Sequence, residues 1–171
     1  MTRNKKTRRP YRPRPVTAHT MTLALHYAAK PAKADCDDVL APLKTALRAL
    51  REGVAIEYQW SIAAGAVNVA MAIEQQGAVT GLRGHLQAAE AALQAIYDRA
   101  IRTGGGRWIR VTLYGSEIEQ LQLFFELHEF QIKQLGRAEF LAAIDAAQKE
   151  IIREGNTLTV VTDTQPERLE A

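Results

Sequence analysis

Four histidines, one cysteine and a scatter of glutamates are the residues of this chain that could hold a metal or move a proton. His19, His26, His85 and His128 fall in neither H-x-x-x-H nor H-E-x-x-H spacing, and Cys36 has no CxxC partner. The sequence therefore offers no metal centre and calls for no cofactor. "ELHEF" (126–130) gathers Glu126, His128 and Glu129, but helical residues two apart point in different directions. His128 falls between Phe125 and Ile132 on an apolar seam and reads as a core histidine with a local hydrogen-bond partner. An acid–base role would require a polar pocket shared with Glu126 or Glu129. Cys36 stands among Asp35, Asp37 and Asp38, whose charges disfavour a thiolate. Ser61 and Ser116 lack a nucleophile elbow. "TGGGR" (103–107) lacks the GK[ST] of a phosphate loop and follows a helix where such a loop would open one. Glu57, Glu74, Glu117 and Glu119 are candidates for a carboxylate pair, yet their spacing singles out none. The expectation is a protein that is not an enzyme.

Charge is laid out more informatively. Arg3, Lys5, Lys6, Arg8, Arg9, Arg12 and Arg14 put seven cations and no acid in residues 1–16, while the remainder holds 15 basic and 19 acidic residues. A mildly acidic body carries a basic arm. Such an arm suits phosphate or an acidic protein; contacts to phosphate would make binding steeply salt-dependent. Tyr11, between arginines, is placed to stack on an exposed base. The bland alternative is a solvated tail, or one docked on the body's own acids. Arg102, Arg107 and Arg110 with Trp108 form a second, smaller patch. An exposed Trp108 would anchor a contact there, whereas a buried one would be core.

The elements that must carry these residues are helices. Ala and Leu dominate, and aromatics are 6% of 171 residues. Residues 1–17 are too poor in apolar surface to order alone. "TMTLALHYAAKPAKAD" suits a short helix ending near Lys30, ahead of Pro31. Helices are expected over 37–52, on a Leu40, Leu43, Leu47, Leu50 stripe that tolerates Pro42 if the helix starts late, and over 54–76. The latter is apolar on a wide front, as a central helix is. Further helices are expected over 80–102, from a Ser116/Glu119 capping box to a Gly136 C-cap, and over 138–154. "RWIRVTLY" (107–114) alternates like a strand and is expected to pair with "TLTVV" (157–161) in a small ribbon. The reading is a mainly all-α bundle of four to five helices over 18–162, a disordered arm before it and a flexible tail over 163–171. It is a single domain, monomer or homodimer. Asn68 is the candidate for a helix-bridging hydrogen bond. One cysteine, no apolar run that spans a bilayer and no signal-peptide h-region make the cytoplasm the expected location.

Three blocks, in order, carry a resemblance: "YRPRPV", "QWSIAAGAVNVAMAIEQQG" (59–77, with Trp60 eight residues before Asn68) and "LYGSEIEQLQLFFELHEFQIKQLGRAEFLAAIDAA" (113–147). The chain resembles small helical proteins of bacterial prophages and related mobile elements. Arg137-Ala138-Glu139-Phe140 departs from the "REF" turn of that pattern. The resemblance carries over no catalytic residue. It implies a bacterial host cytoplasm and an accessory protein that binds and blocks a host protein or complex, such as a defence or nucleic-acid-handling system. The alternative from the charge layout is a direct nucleic-acid-binding regulator that uses the arm.

Overall fold

The computed structural model describes residues 33–153, with side chains from 36 onward. The basic arm, the short helix near Lys30, the 157–161 run and the 163–171 tail lie outside them. Among the described residues five helices run in order: α1 Lys33–Arg51, α2 Glu57–Gln75, α3 Arg83–Thr103, α4 Gly115–Gln134 and α5 Arg137–Arg153. Among the described residues none is long and apolar enough to cross a membrane.

Small residues make α2 the centre. Ala63, Val67, Ala70 and Ile73 are fully or almost fully buried, and α2 packs on α1, α3, α4 and α5. The larger core joins Leu40, Leu43 and Leu50 of α1, Leu86, Leu93 and Ile96 of α3, and Leu121, Phe124 and Ile132 of α4. Each Leu, Ile or Phe so buried contributes about 1.5–3 kcal/mol of transfer free energy. A smaller core of Ala72, Ile73, Leu135, Ala143 and Ala147 holds α5 against α2.

The starts of α2, α4 and α5 share one device. A helix leaves its first N–H groups without intrahelical acceptors, so a side chain reaching back to the cap is stabilising. Gln59 accepts from Ile56 N–H at 2.7 Å, Glu117 from Tyr114 N–H at 2.8 Å and Glu139 from Gly136 N–H at 2.8 Å. Before α3 the acceptor comes from the preceding helix: Glu74 takes the N–H groups of Gly81 and Leu82 at 2.9 and 3.1 Å.

Several expectations are corrected by this arrangement. The fourth helix is not capped by Ser116 with Glu119; it starts earlier, on Tyr114 and Glu117, because Glu117 is also held by Arg99. Gly136 does not end α4. Leu135 does, in extended conformation, and Gly136 opens α5. Pro42 sits inside α1, not near its start, on an exposed face where the missing N–H costs least. No strand forms over 107–114, so the ribbon with 157–161 is not borne out. The alternation does mark two faces, with Leu113 buried, Ile109 and Val111 half-buried, and Arg107, Arg110 and Thr112 exposed. Helices, not a partner strand, cover the inner one. Trp108 Nε1 donates to the Ala55 carbonyl at 3.1 Å, and Arg99 Nη2 donates to the Thr112 carbonyl at 3.3 Å.

Candidate functional site

Most of the chemistry-bearing side chains are used by the scaffold. His128 is 4% exposed, stacked 5.6 Å from Phe124. Gln131 Nε2 donates to the Ala70 carbonyl at 3.1 Å, which turns Gln131 Oε1 towards His128 Nδ1 at 3.2 Å. The Nδ1 of the neutral ring therefore carries the proton. Burial pushes the His128 pKa down to about 4 against the opposing pull of that hydrogen bond. Its partner is Gln131, not a carboxylate: Glu126 is exposed and Glu129 pairs with Lys133 at 2.8 Å. The polar bridge from α4 to α2 is made by Gln131, where the sequence had pointed to Asn68. Trp60 makes another, its Nε1 donating to the Leu93 carbonyl of α3 at 2.9 Å.

The candidate carboxylates separate in the same way. Glu117, 7% exposed, takes both Arg99 Nη1 and Nη2 at 2.9 and 2.7 Å, and Arg99 lies 4.3 Å from the Tyr114 ring centroid. That fork joins α3 to α4 and raises the Arg99 pKa, chiefly through the Glu117 hydrogen bond. Glu74 serves the start of α3. Glu57 and Glu119 are exposed and take no part in such a pair. Cys36 is buried in the larger core. Ser61 Oγ donates to the Tyr58 carbonyl at 2.8 Å, and Ser116 is exposed. Among the described residues no group of three His, Cys, Asp or Glu side chains could hold a metal ion.

Of the binding residues read from the sequence, Arg3, Lys5, Lys6, Arg8, Arg9, Tyr11, Arg12 and Arg14 lie outside the described residues. Arg102, Arg107 and Arg110 are exposed around the 104–114 linker. Trp108 between them is half-buried. Its ring lies 6.1 Å from both Trp60 and Tyr97, which are 4.6 Å from each other. Trp108 thus pins the linker to the bundle.

Among the described residues the scaffold leaves open a groove of about 420 Å³ between α1 and α4. Its floor is apolar: Leu47 from α1, Ile118, Leu121 and Phe125 from α4, and Leu113 from the linker. Its α1 wall carries Lys44, Arg48 and Arg51, with Thr45; Gln122 stands on the α4 side. The three cations are exposed, and no carboxylate among the described residues pairs with them. Spacings of four and three place them along one flank of α1, beside the leucine stripe. The sequence reading passed over these residues because it weighed charge in runs. The signal was K-x₃-R-x₂-R beside L-x₃-L-x₂-L (44–51 and 43–50), a cationic row bordering an apolar one. An apolar trough with cations along one wall can bind an amphipathic, negatively charged body. No protein-family model, no curated protein and no solved structure matches this chain.

Proposed function

We propose that the chain is a non-enzymatic binding protein, an accessory of a phage or mobile element that occupies and blocks a host protein or complex. The α1–α4 groove carries this reading: it is an open, chemically asymmetric trough in a body where His128, Gln131, Glu74 and Glu117 serve packing and helix starts. The order of the three sequence blocks supports the mobile-element context, and the host cytoplasm is the matching location. The second reading, a nucleic-acid-binding regulator, is favoured by the seven cations of residues 1–16 and the exposed Arg102, Arg107 and Arg110.

A salt titration separates the two. Binding to random-sequence double- and single-stranded DNA is measured for the full chain and for a deletion of residues 2–16. The blocking reading expects weak DNA binding near physiological salt, and a protein captured from host lysate that the deletion still retains. Tight, steeply salt-dependent DNA binding, lost in the deletion, would replace it with the regulator reading.

A further inference from the structure

We infer that the α1–α4 groove is a docking site for an acidic amphipathic helix of a partner protein. The inference deepens the protein-binding reading and rests on it. A helix docked in a groove is held by apolar anchors at i, i+3 or i+4, and i+7. The floor residues Ile118, Leu121 and Phe125 span two turns of α4, matched by two turns of α1 from Lys44 to Arg51. That is about 10 Å of groove, the length those anchors occupy. The volume of about 420 Å³ matches a few large aliphatic or aromatic side chains. Charge chooses among occupants. A small amphiphile carries its charge at one end and would need cations gathered at one end of the groove. Lys44, Arg48 and Arg51 instead form a row along one wall, spaced as carboxylates are on one flank of a helix. Exposed cations at the edge of an apolar floor, with no carboxylate partner among the described residues, speed encounter and fix the direction of docking.

The test uses the full chain and a fluorescein-labelled helical peptide of about 14 residues. The peptide has Leu at the anchor spacing and Glu along one flank; its counterpart has Lys for each Glu. The acidic peptide binds and the Lys peptide binds at least about tenfold more weakly. K44E/R48E/R51E in one chain reverses that order. Gln122→Trp fills the groove from an exposed position and weakens both. Amide shifts on binding fall on 44–51 and 118–125. Equal binding of the two peptides, indifference to both variants, shifts elsewhere or no binding at all each overturn the inference. So do two other outcomes: a homodimer dispersed by the charge reversal, which makes the occupant a second copy; or peptide binding only after D163K/E167K/E170K, which makes it this chain's own C-terminal segment. Because every component is purified, a failure here is distinct from failure of the blocking reading, which the DNA titration and lysate capture decide.

Discussion

Protonating His128 would place a charge against Phe124 in a site 4% exposed, and the fold resists it. The folded-state pKa of about 4 lies below the ordinary histidine value of about 6.5. Between those values the unfolded chain binds the proton and the folded one does not. Stability is therefore complete above about pH 6.5, falls as the pH drops towards 4 and levels off below. The loss from this group is on the order of 3 kcal/mol. Urea midpoints at neutral pH and near pH 4.5 measure it, with His128→Phe as control. That variant retains ring packing on Phe124, removes the titration and flattens this part of the profile. An unchanged slope in the variant would assign the acid sensitivity to other groups. Gln131 makes the site work: turned by the Ala70 carbonyl, it offers His128 an acceptor and so favours the neutral tautomer that can donate. His128 was legible as a core residue from its place between Phe125 and Ile132. Gln131 was not, because a glutamine at a buried position looks the same in sequence as one on the surface until its backbone acceptor, 61 residues away, is known.

At the scale of elements, the 104–114 linker shows what periodicity conveys and what it misses. Its alternation correctly separates an inner from an outer face, but alternation is blind to whether a strand or a helix covers the inner one. Helix existence was legible because each apolar stripe recurs over several turns. Helix ends were misread at Ser116 and Gly136 because capping depends on which acceptor reaches back, and Glu117 and Glu139 compete successfully for that role. The groove cations escaped notice because their meaning depends on α4 lying alongside α1. The turn that starts the linker makes its own prediction. Gly104 has φ −86°, which any residue adopts, so its requirement is space. An added Cβ would overlap the Arg107 carbonyl oxygen and lie 2.9 Å from Ile109 Cγ2 and 3.1 Å from the Ala100 carbonyl oxygen. Gly105 has φ +62° and open space around its Cβ position. Gly104→Ala is expected to cost about 2–4 kcal/mol and to loosen Trp108, seen as a weakened near-ultraviolet signal from the Trp60, Tyr97 and Trp108 cluster. Gly105→Ala is expected to cost about 1–2 kcal/mol with that signal kept. The reverse order would mean that the turn is governed by conformation instead of by contact with the Arg107 backbone.

Across the whole molecule, stability is distributed unevenly between two cores, and this bears on how the groove is presented. The groove walls come from α1 and α4, both built into the larger core of leucines, Ile96 and Phe124. α5 contributes nothing to those walls. It is held through a smaller core of three alanines, Ile73 and Leu135, bordered by the half-buried Val69, Val79, Ala146 and Phe140; only Phe140 of α5 also reaches the larger core, so α5 buries less large apolar side chain than the other helices do. Its surface ion pairs, Lys149 with Asp145 and Arg153 with Glu150, are exposed and add little. α5 should therefore open on its own while the other four helices stay closed. Native-state hydrogen exchange should show amides of 141–153 opening at least about 2 kcal/mol more easily than those of α2 and α3. Ile73→Ala should widen that gap, because Ile73 is fully buried beneath α5. Equal protection of α5 and α2 would mean that the small core is as cooperative as the large one, with the five helices unfolding together. Under the two-core arrangement, a ligand in the α1–α4 groove slows exchange across the larger core and leaves α5 unchanged. The groove is then the rigid part of the molecule, and the compliant helix is the one that contributes nothing to its walls.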